Sequence, residues 1–511
     1  MSFKRRPDIF ILFLLTAIIA SVLMLWVTEN GPGVSADSTN YAFTAVNLAM
    51  GKGFIIGNKP VTLFPPGYPL FLSVPTRILN NNVLLAGRWS SALLFGITIV
   101  MLGLIVGQMT RFRPTALIMV MLVFLLSAPI IEIYSMLWTE VLFVPLVLAV
   151  CWLTIRYSEN PKARFLLLAA VMSGYAIITR LVGIALLPPV LFVLLRLSEQ
   201  PMKQRIRDST IFLGISLLPA FFWFLRNIWI AQALTGRPFY VRFLACDHIR
   251  AILKTFFTYM FPVSTSELFQ IVFMLAFFVI IFLMNFFLIN KYRPRSDINR
   301  PRLACLWFAV IFFIVYIATV ILAKLLWEAG IHFDTRILLP AWLALLIIIF
   351  LSFAFFADSF SQPWIWKSCL ILMLMSVVLN ARPAIFVSKD IHQKGRGYTS
   401  TAWQHSEIIS FLPHLSDTKL IYTNAPDIMR FFAGKNAKLL PFRYYPASQK
   451  NNLDYIVQLR QICTKCQKGE CIVVFIDYVN RYYLPSNKEL ESACRLPVLK
   501  KFSDGIIYAK Q

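Results

Sequence analysis

The sequence predicts a multi-pass α-helical membrane protein of about eleven transmembrane helices, followed by a C-terminal extracytoplasmic α/β domain. Three features point there. Of 511 residues, 58% are hydrophobic and 14% charged, against about 25% charged in soluble domains, and mean hydropathy is +0.69. Apolar runs of about twenty residues, enough to cross a hydrocarbon core, recur through the first three quarters of the chain. Every second connection between those runs is a basic cluster.

The first run, Ile9–Val27, follows "MSFKRRPD". A signal peptide with a cleavage site at "VSA" (34–36) is the competing reading. The run is longer than an ordinary signal core and the candidate site lies well past its end, so an uncleaved first helix is expected. The remaining spans fall at 83–107, 115–131, 139–155, 165–179, 181–196, 209–230, 268–289, 303–323, 337–356 and 368–381. Basic clusters then sit at Lys4, Arg5 and Arg6; at Arg111 and Arg113; at Arg156, Lys162 and Arg164; at Arg196, Lys203, Arg205 and Arg207; and at Lys291, Arg293, Arg295, Arg300 and Arg302. This is the positive-inside pattern. It predicts a cytoplasmic N-terminus and an extracytoplasmic tail in a cell membrane, the inner membrane if the source is bacterial. The net charge of +25 therefore reads as topology and attraction to the lipid surface. With no basic strip interleaved with aromatics in a soluble segment, nucleic-acid binding is not expected.

The transmembrane region spans 1–381, with large outer loops at 28–82 and 231–267, and the tail covers 382–511. In the tail, "KLIYTN" (419–424) and "CIVVFID" (471–477) read as strands, and "APDIMRFFAG" (425–434) as a helix stopped by Gly434. Of eight cysteines, Cys151, Cys305 and Cys369 fall in spans, Cys246 in the 231–267 loop, and Cys463, Cys466, Cys471 and Cys494 in the tail. Outside the membrane, disulfides are favoured over a zinc site for the tail group, with the connectivity open. The chain has no HExxH, no Walker A loop, no GxGxxG after a strand and no Asp-x-Asp. No cofactor is specified, although the outer carboxylates would permit a divalent cation.

Charged residues expected at the outer ends of spans are Asp37, Glu132, Glu140, Glu328 and Asp334, with Arg88, Arg180, Arg226, Lys324 and Arg336. His332 lies beside them. Each could snorkel to headgroups. As a set on one face, they favour binding of something anionic, since arginine's planar fork suits phosphate. In "ADSTNYAFTAVNLAMGKGF" (36–54), Asp37 and Ser38 can cap a helix start. Tyr41, Ala45, Leu48 and Ala49 then form an apolar stripe, and Asn40, Thr44 and Asn47 a polar one, before Gly51 and Gly53. "PPGYP" (65–69) follows, with a tight turn expected at Gly67 and Tyr68 beside it.

The first-loop pattern, an acidic residue and a tyrosine, then "NLAMGKGF" and "PPGYP", resembles that of C-type (GT-C) membrane glycosyltransferases. "WTEVLF" (138–143), "ITRLVGIALLPP" (177–188), "DTRILLPAWLAL" (334–345) and the tail stretch "IYTNAPDIMRFFAGKNAKLLP" (421–441) look like later blocks of that group. The pattern also resembles the bacterial dolichyl-phosphate-mannose–protein mannosyltransferase-like and aminoarabinose-transferase-like branches of that group. The resemblance implies transfer of a sugar from a polyprenyl-phosphate carrier to a lipid, glycan or protein acceptor at the outer face, with inversion. It implies Asp37 as the first-loop catalytic acid position and general base, and Glu140 as a second acidic position, with Glu132 an alternative that spacing leaves open. The candidate substrate-binding residues are Tyr41, Tyr68, Arg88, Arg180, His332, Asp334 and Arg336. Ile337 stands where relatives often carry tyrosine. The competing class is a multi-pass transporter or flippase of a lipid-linked or anionic substrate, but no paired halves are detected. A non-catalytic lipid-binding scaffold would not need the first-loop carboxylate. A reporter fused at Ser400 is expected to be active only if it functions outside the cytoplasm; activity of a cytoplasmic reporter there would reverse the topology.

Overall fold

The computed structural model describes residues 7–57, 59–232, 239–291, 300–328, 330–416, 419–446 and 450–510. Lys4, Arg5, Arg6, Arg293 and Arg295 of the expected basic clusters lie outside the described residues. Helix α1 (Pro7–Val27) leads to the first loop, which holds α2 (Ala36–Ala49), the hairpin β1 (Ile55–Ile56) and β2 (Lys59–Pro60), and α3 (Gly67–Ile78). There follow α4 (Val83–Met109), α5 (Pro114–Leu125), α6 (Ala128–Ser135), α7 (Glu140–Glu159) and α8 (Ala163–Thr179). Next come a 3-10 turn (Leu181–Leu186), α9 (Leu187–Phe192), a π turn (Val193–Leu197) and α10 (Met202–Ala231). Helices α11 (Cys246–Met260), α12 (Glu267–Lys291), α13 (Arg300–Leu326), α14 (Thr335–Phe360) and α15 (Pro363–Lys394) complete the helical region.

The chain is thus a multi-pass α-helical membrane protein, with a revised count of spans. Among the described residues, eight helices are long and apolar enough to cross a membrane. A ninth span forms if α5 and α6, bent by 58° at Leu126–Ser127, are taken as one. The expected spans at 165–179 and 181–196 are shorter apolar helices, Ala163–Thr179 and Leu181–Leu197. At about 1.5 Å per residue, the 17 residues of α8 reach about 25 Å, short of a hydrocarbon core of about 30 Å. The break at Arg180 falls where the expected spans divide, but each side is too short to count as a full crossing. Helix α15 also outruns the expected 368–381, continuing to Lys394.

Two kinds of helix make up the bundle. Helices α7 and α14 are enclosed on nearly all sides, whereas α1, α10, α12 and α15 are mostly uncovered. The outward side chains of the latter are apolar, for example Phe10, Leu14, Ile18 and Val22 on α1, as lipid contact requires. Helix α1 packs on α4, α8 on both α7 and α10, and α13 on α7 and α14.

The tail contains a five-stranded mixed sheet. Strand β3 (Leu420–Thr423) runs parallel to both β4 (Lys438–Leu439) and β7 (Cys471–Ile476). Strand β7 then pairs antiparallel with β9 (Gly505–Tyr508), and β9 with β8 (Val498–Phe502). A two-stranded ribbon joins β5 (Tyr444–Tyr445) to β6 (Lys450–Asn451). Short helices α16 (Thr401–Gln404) and α17 (Glu407–Phe411) precede the sheet. Helix α18 (Pro426–Ala433) follows β3 and ends on Gly434 at φ 64°, as its sequence predicts. Helices α19 (Tyr455–Gln467) and α20 (Asn487–Cys494) carry Cys463, Cys466 and Cys494, and Cys471 opens β7. The bridges are Cys463–Cys494 and Cys466–Cys471, with Cα separations of 4.9 and 4.5 Å. Peptide mapping without reduction should recover both; four free thiols or bound zinc would contradict this pairing.

Candidate functional site

The site grows from a short ladder. Residues Pro32–Val34 are clamped from two sides. The Gly33 amide donates to Ser135 O at 2.8 Å and the Leu137 amide to Gly33 O at 2.8 Å. On the other side the Tyr398 amide donates to Val34 O at 2.8 Å and Thr399 Oγ1 to Pro32 O at 2.9 Å. Gly397 sits at φ 56° against the Val34 backbone, leaving no room for a Cβ. The first loop, the approach to α7 and the start of the tail are thereby fixed to one another.

That clamp delivers Ser35 to the start of α2. Ser35, at φ −110° and ψ 176°, is the N-cap, its side chain accepting from the Ser38 amide. The indole of Trp138 also donates to Ser35 Oγ at 3.0 Å. The expected cap at Asp37–Ser38 is therefore two to three residues too late: Asp37 lies inside the first turn and its carboxylate is not used as a cap. Gly67 also differs from expectation. It opens α3 and is needed for close approach, since a Cβ there would lie 2.7 Å from Ile178 O and the Thr179 amide. Tyr175 donates its hydroxyl to Gly67 O at 2.9 Å, fastening α3 to the end of α8 just before Arg180.

Four charged side chains meet at this junction. Arg336 Nε donates to Glu140 Oε1 at 2.7 Å, and its Nη1 lies 3.4 Å from Asp37 Oδ2. Arg180 Nη1 pairs with the same Glu140 oxygen and donates to Thr139 Oγ1 at 3.0 Å. Glu140 is 1% exposed, whereas the Asp37 side chain is 47% exposed. The guanidinium of Arg336 also rests 4.3 Å from the ring centre of Trp138. Neither arginine makes a further hydrogen bond through its Nη2 among the described residues. Asp37, Glu140 and Arg336 all occupy the first turns of helices, α2, α7 and α14. Three helix N-termini thus converge with two guanidinium groups, an arrangement that attracts an anion.

The structure separates the expected site residues. Asp37, Glu140, Arg180 and Arg336 come together. Glu132 pairs instead with Arg396, and of the two glutamates it is Glu140 that joins this cluster. Tyr41 is buried edge-on to Tyr68, with ring centres 5.6 Å apart, and also meets Phe64. Burial first, then the Asp37 carboxylate, raises the Tyr41 pKa, so its phenol stays protonated. Burial does the same for Tyr68. Thr44, expected on an outward polar stripe, is buried and satisfied by Asn40 O at 2.7 Å. Arg88 does not join the cluster; it donates to Leu25 O at 2.9 Å near the end of α1. Asp334 caps α14 through the Ile337 amide at 2.9 Å, and His332 is exposed without a hydrogen bond among the described residues. Arg226 anchors the first loop through Val61 O at 2.9 Å and lies over Trp223.

Sequence reasoning missed Ser35, Trp138, Thr139 and Tyr316. Tyr316 is buried beside the cluster and donates to Ile337 O at 2.7 Å. It sets a hydroxyl from α13 against Ile337 on α14. Trp138 and Thr139 stood within a recognised block, and their adjacency to Glu140 was the available signal.

Residues 64–229 match the family described as Dolichyl-phosphate-mannose-protein mannosyltransferase. No curated protein sequence matches the chain. Among solved structures it is similar to ArnT from Cupriavidus metallidurans bound to undecaprenyl phosphate, with 12% identity, TM-score 0.50 and coverage of 99% of this chain and 98% of that one. The apo form of that ArnT matches with 12% identity, TM-score 0.52 and 97% of both chains. The Archaeoglobus fulgidus oligosaccharyltransferase in complex with zinc and sulfate matches with 10% identity and TM-score 0.52, over 97% of this chain and 73% of that one. At such identities the likeness speaks for the fold. The chain therefore has the GT-C-like fold of ArnT and the oligosaccharyltransferase, and is related over residues 64–229 to the dolichyl-phosphate-mannose-protein mannosyltransferase family.

Proposed function

We propose that this protein is a glycosyltransferase that moves a sugar from a polyprenyl-phosphate-linked donor to a lipid, glycan or protein acceptor at the outer face of a cell membrane. The observation that carries the reading is the Asp37–Arg336–Glu140–Arg180 cluster, in which one carboxylate is half-exposed and the other is buried beneath two arginines. Its fold is that of a protein whose solved structure holds undecaprenyl phosphate.

In the proposed step the acceptor hydroxyl attacks the anomeric carbon as the bond from that carbon to the phosphate oxygen breaks. The hydroxyl proton passes to Asp37, and polyprenyl phosphate leaves with the added negative charge. Attack opposite the leaving group inverts the anomeric centre. Nη2 of Arg180 and Arg336 would face the phosphate oxygens and offset the charge that develops there. Tyr41 and Tyr68 would wall the sugar side of the cleft. Glu140 acts as a positioning residue: buried and bound to both guanidinium groups, it aims them and has no route to an acceptor. Among the described residues no three acidic, histidine or cysteine side chains form a cation-binding group. Asp37 and Glu140 are both paired with arginine, and no step is routed through a cation.

Asp37→Asn should cut turnover about 10²–10⁴-fold, the usual worth of a positioned base, with thermal stability near wild type because Ser35 holds the cap. Ser35→Ala should show the reverse pattern, a loss of about 1 kcal/mol in stability with the chemical step largely intact. Near-wild-type turnover by Asp37→Asn would remove the base.

Glu140→Gln should destabilise the protein by about 3–5 kcal/mol, because it leaves two buried cations facing one another. A stable Glu140→Gln variant with normal donor affinity would contradict the positioning role. Arg336→Ala should weaken donor binding strongly and Arg336→Lys less so, since lysine keeps the charge and loses the fork. Unchanged donor affinity in Arg336→Ala would make that residue purely structural.

A further inference from the structure

At the opposite end of α14 from Arg336, about 33 Å away along the helix at ~1.5 Å per residue, a second charged cluster has no part in the reaction. Asp358 receives Arg113 Nη2 at 2.6 Å and Arg302 Nη1 at 2.8 Å. Arg111 lies within electrostatic reach of Arg302. The Arg302 side chain is 8% exposed and packs over Phe355. Arg113 lies 5.0 Å from the ring centre of Trp366, whose indole donates to Thr115 Oγ1 at 3.4 Å. Two guanidinium groups thus share one carboxylate, with a third close by. Arg111 is exposed and makes no hydrogen bond or ion pair among the described residues.

The backbone deepens the puzzle. Arg111 and Phe112, in the turn between α4 and α5, both take the left-handed conformation, at φ 58° and 55°. Asparagine or glycine would fit that turn with less strain, yet its exposed position holds a cation. Trp364, 62% exposed, and the exposed Lys367 flank Trp366 at the start of α15. Exposed tryptophan beside basic side chains at the end of apolar helices marks headgroup depth. This is also the side that the positive-inside pattern assigns to the cytoplasm.

We propose that Arg111, with Lys367 and the Arg113–Arg302 pair behind it, binds the phosphodiester headgroup of an anionic phospholipid in the cytoplasmic leaflet. Charge complementarity favours this occupant, since the cluster carries excess positive charge where basic groups between membrane helices hold anionic headgroups. The flanking tryptophans set the depth for a lipid and offer nothing to a freely diffusing anion. The inference does not rest on the transfer reaction.

The test uses the full chain, purified and stripped of lipid in detergent. Native mass spectrometry would compare binding of phosphatidylglycerol and phosphatidylcholine. The wild type should prefer phosphatidylglycerol by about tenfold or more, weakening as salt is raised. Arg111→Asn, which suits the left-handed backbone, combined with Lys367→Gln should bring the preference to within about twofold of unity. Its thermal stability in detergent alone should be unchanged, because both side chains are exposed. Arg111→Lys should keep the preference, so a loss there would point to the turn rather than the charge. Equal binding of the two lipids by the wild type, or a preference retained by the double variant, would overturn the proposal. Competition by millimolar inorganic phosphate as effective as that by the lipid would instead identify a soluble-anion site, and would overturn it too.

Discussion

Glu140 is a carboxylate with almost no contact with solvent that accepts from guanidinium groups on two different segments, Arg180 after α8 and Arg336 at the start of α14. Burying one charge carries a large desolvation penalty, and only close, hydrogen-bonded partners offset it. That requirement brings three separate parts of the chain to a single point. Arg336 reaches onward to Asp37, so the first loop is drawn into the same balance. With two carboxylates and two arginines the group is formally neutral, which makes it tolerable at the edge of an apolar bundle. Any ligand phosphate adds negative charge to a group that still has guanidinium donors to offer.

The scaffold around this centre supplies position and little chemistry. The Pro32–Val34 ladder ties the first loop to both the α6–α7 connection and the tail. Gly67 lets α3 press against the backbone that leads into Arg180. Helix α18 of the tail packs against α2, so the sheet domain braces the helix that carries Asp37. The Tyr398 hydroxyl and Arg481 both bond to Asp427 on α18, the latter at 2.8 Å, which secures that brace from the far side. Burial first, then the Asp427 carboxylate, raises the Tyr398 pKa and keeps its phenol a donor.

The sequence conveyed the architecture at coarse grain. Apolar runs located every long helix, and the β-branched runs with Gly434 located β3, β7 and α18. Span number was harder, because the apolar runs on either side of Arg180 are each too short to cross, and a window of hydropathy does not register a 58° bend between α5 and α6. The site was legible where charge stands out against apolar surroundings, as at Asp37, Glu140, Arg180 and Arg336. Local patterns misled in a consistent way. Asp37 and Ser38 look like caps, yet Ser35 is one. Gly67 looks like a turn, yet it serves a close contact far away in sequence. Arg88 and Asp334 are charged residues of the expected kind, but a carbonyl of α1 and the first turn of α14 claim them. Which polar side chain meets which partner is decided by packing across the bundle, and a single sequence does not encode that in its spacing.

The central claim is that an arginine pair held by one buried glutamate receives the phosphate of a lipid-linked donor. A cryo-electron microscopy structure of the purified chain with a non-hydrolysable polyprenyl-phosphate sugar analogue tests it most directly. The account predicts phosphate oxygens within hydrogen-bond distance of Arg180 and Arg336, Glu140 still bound to both, and the anomeric carbon facing Asp37. Density for the phosphate elsewhere, with Arg180 and Arg336 contacting only protein, would contradict it.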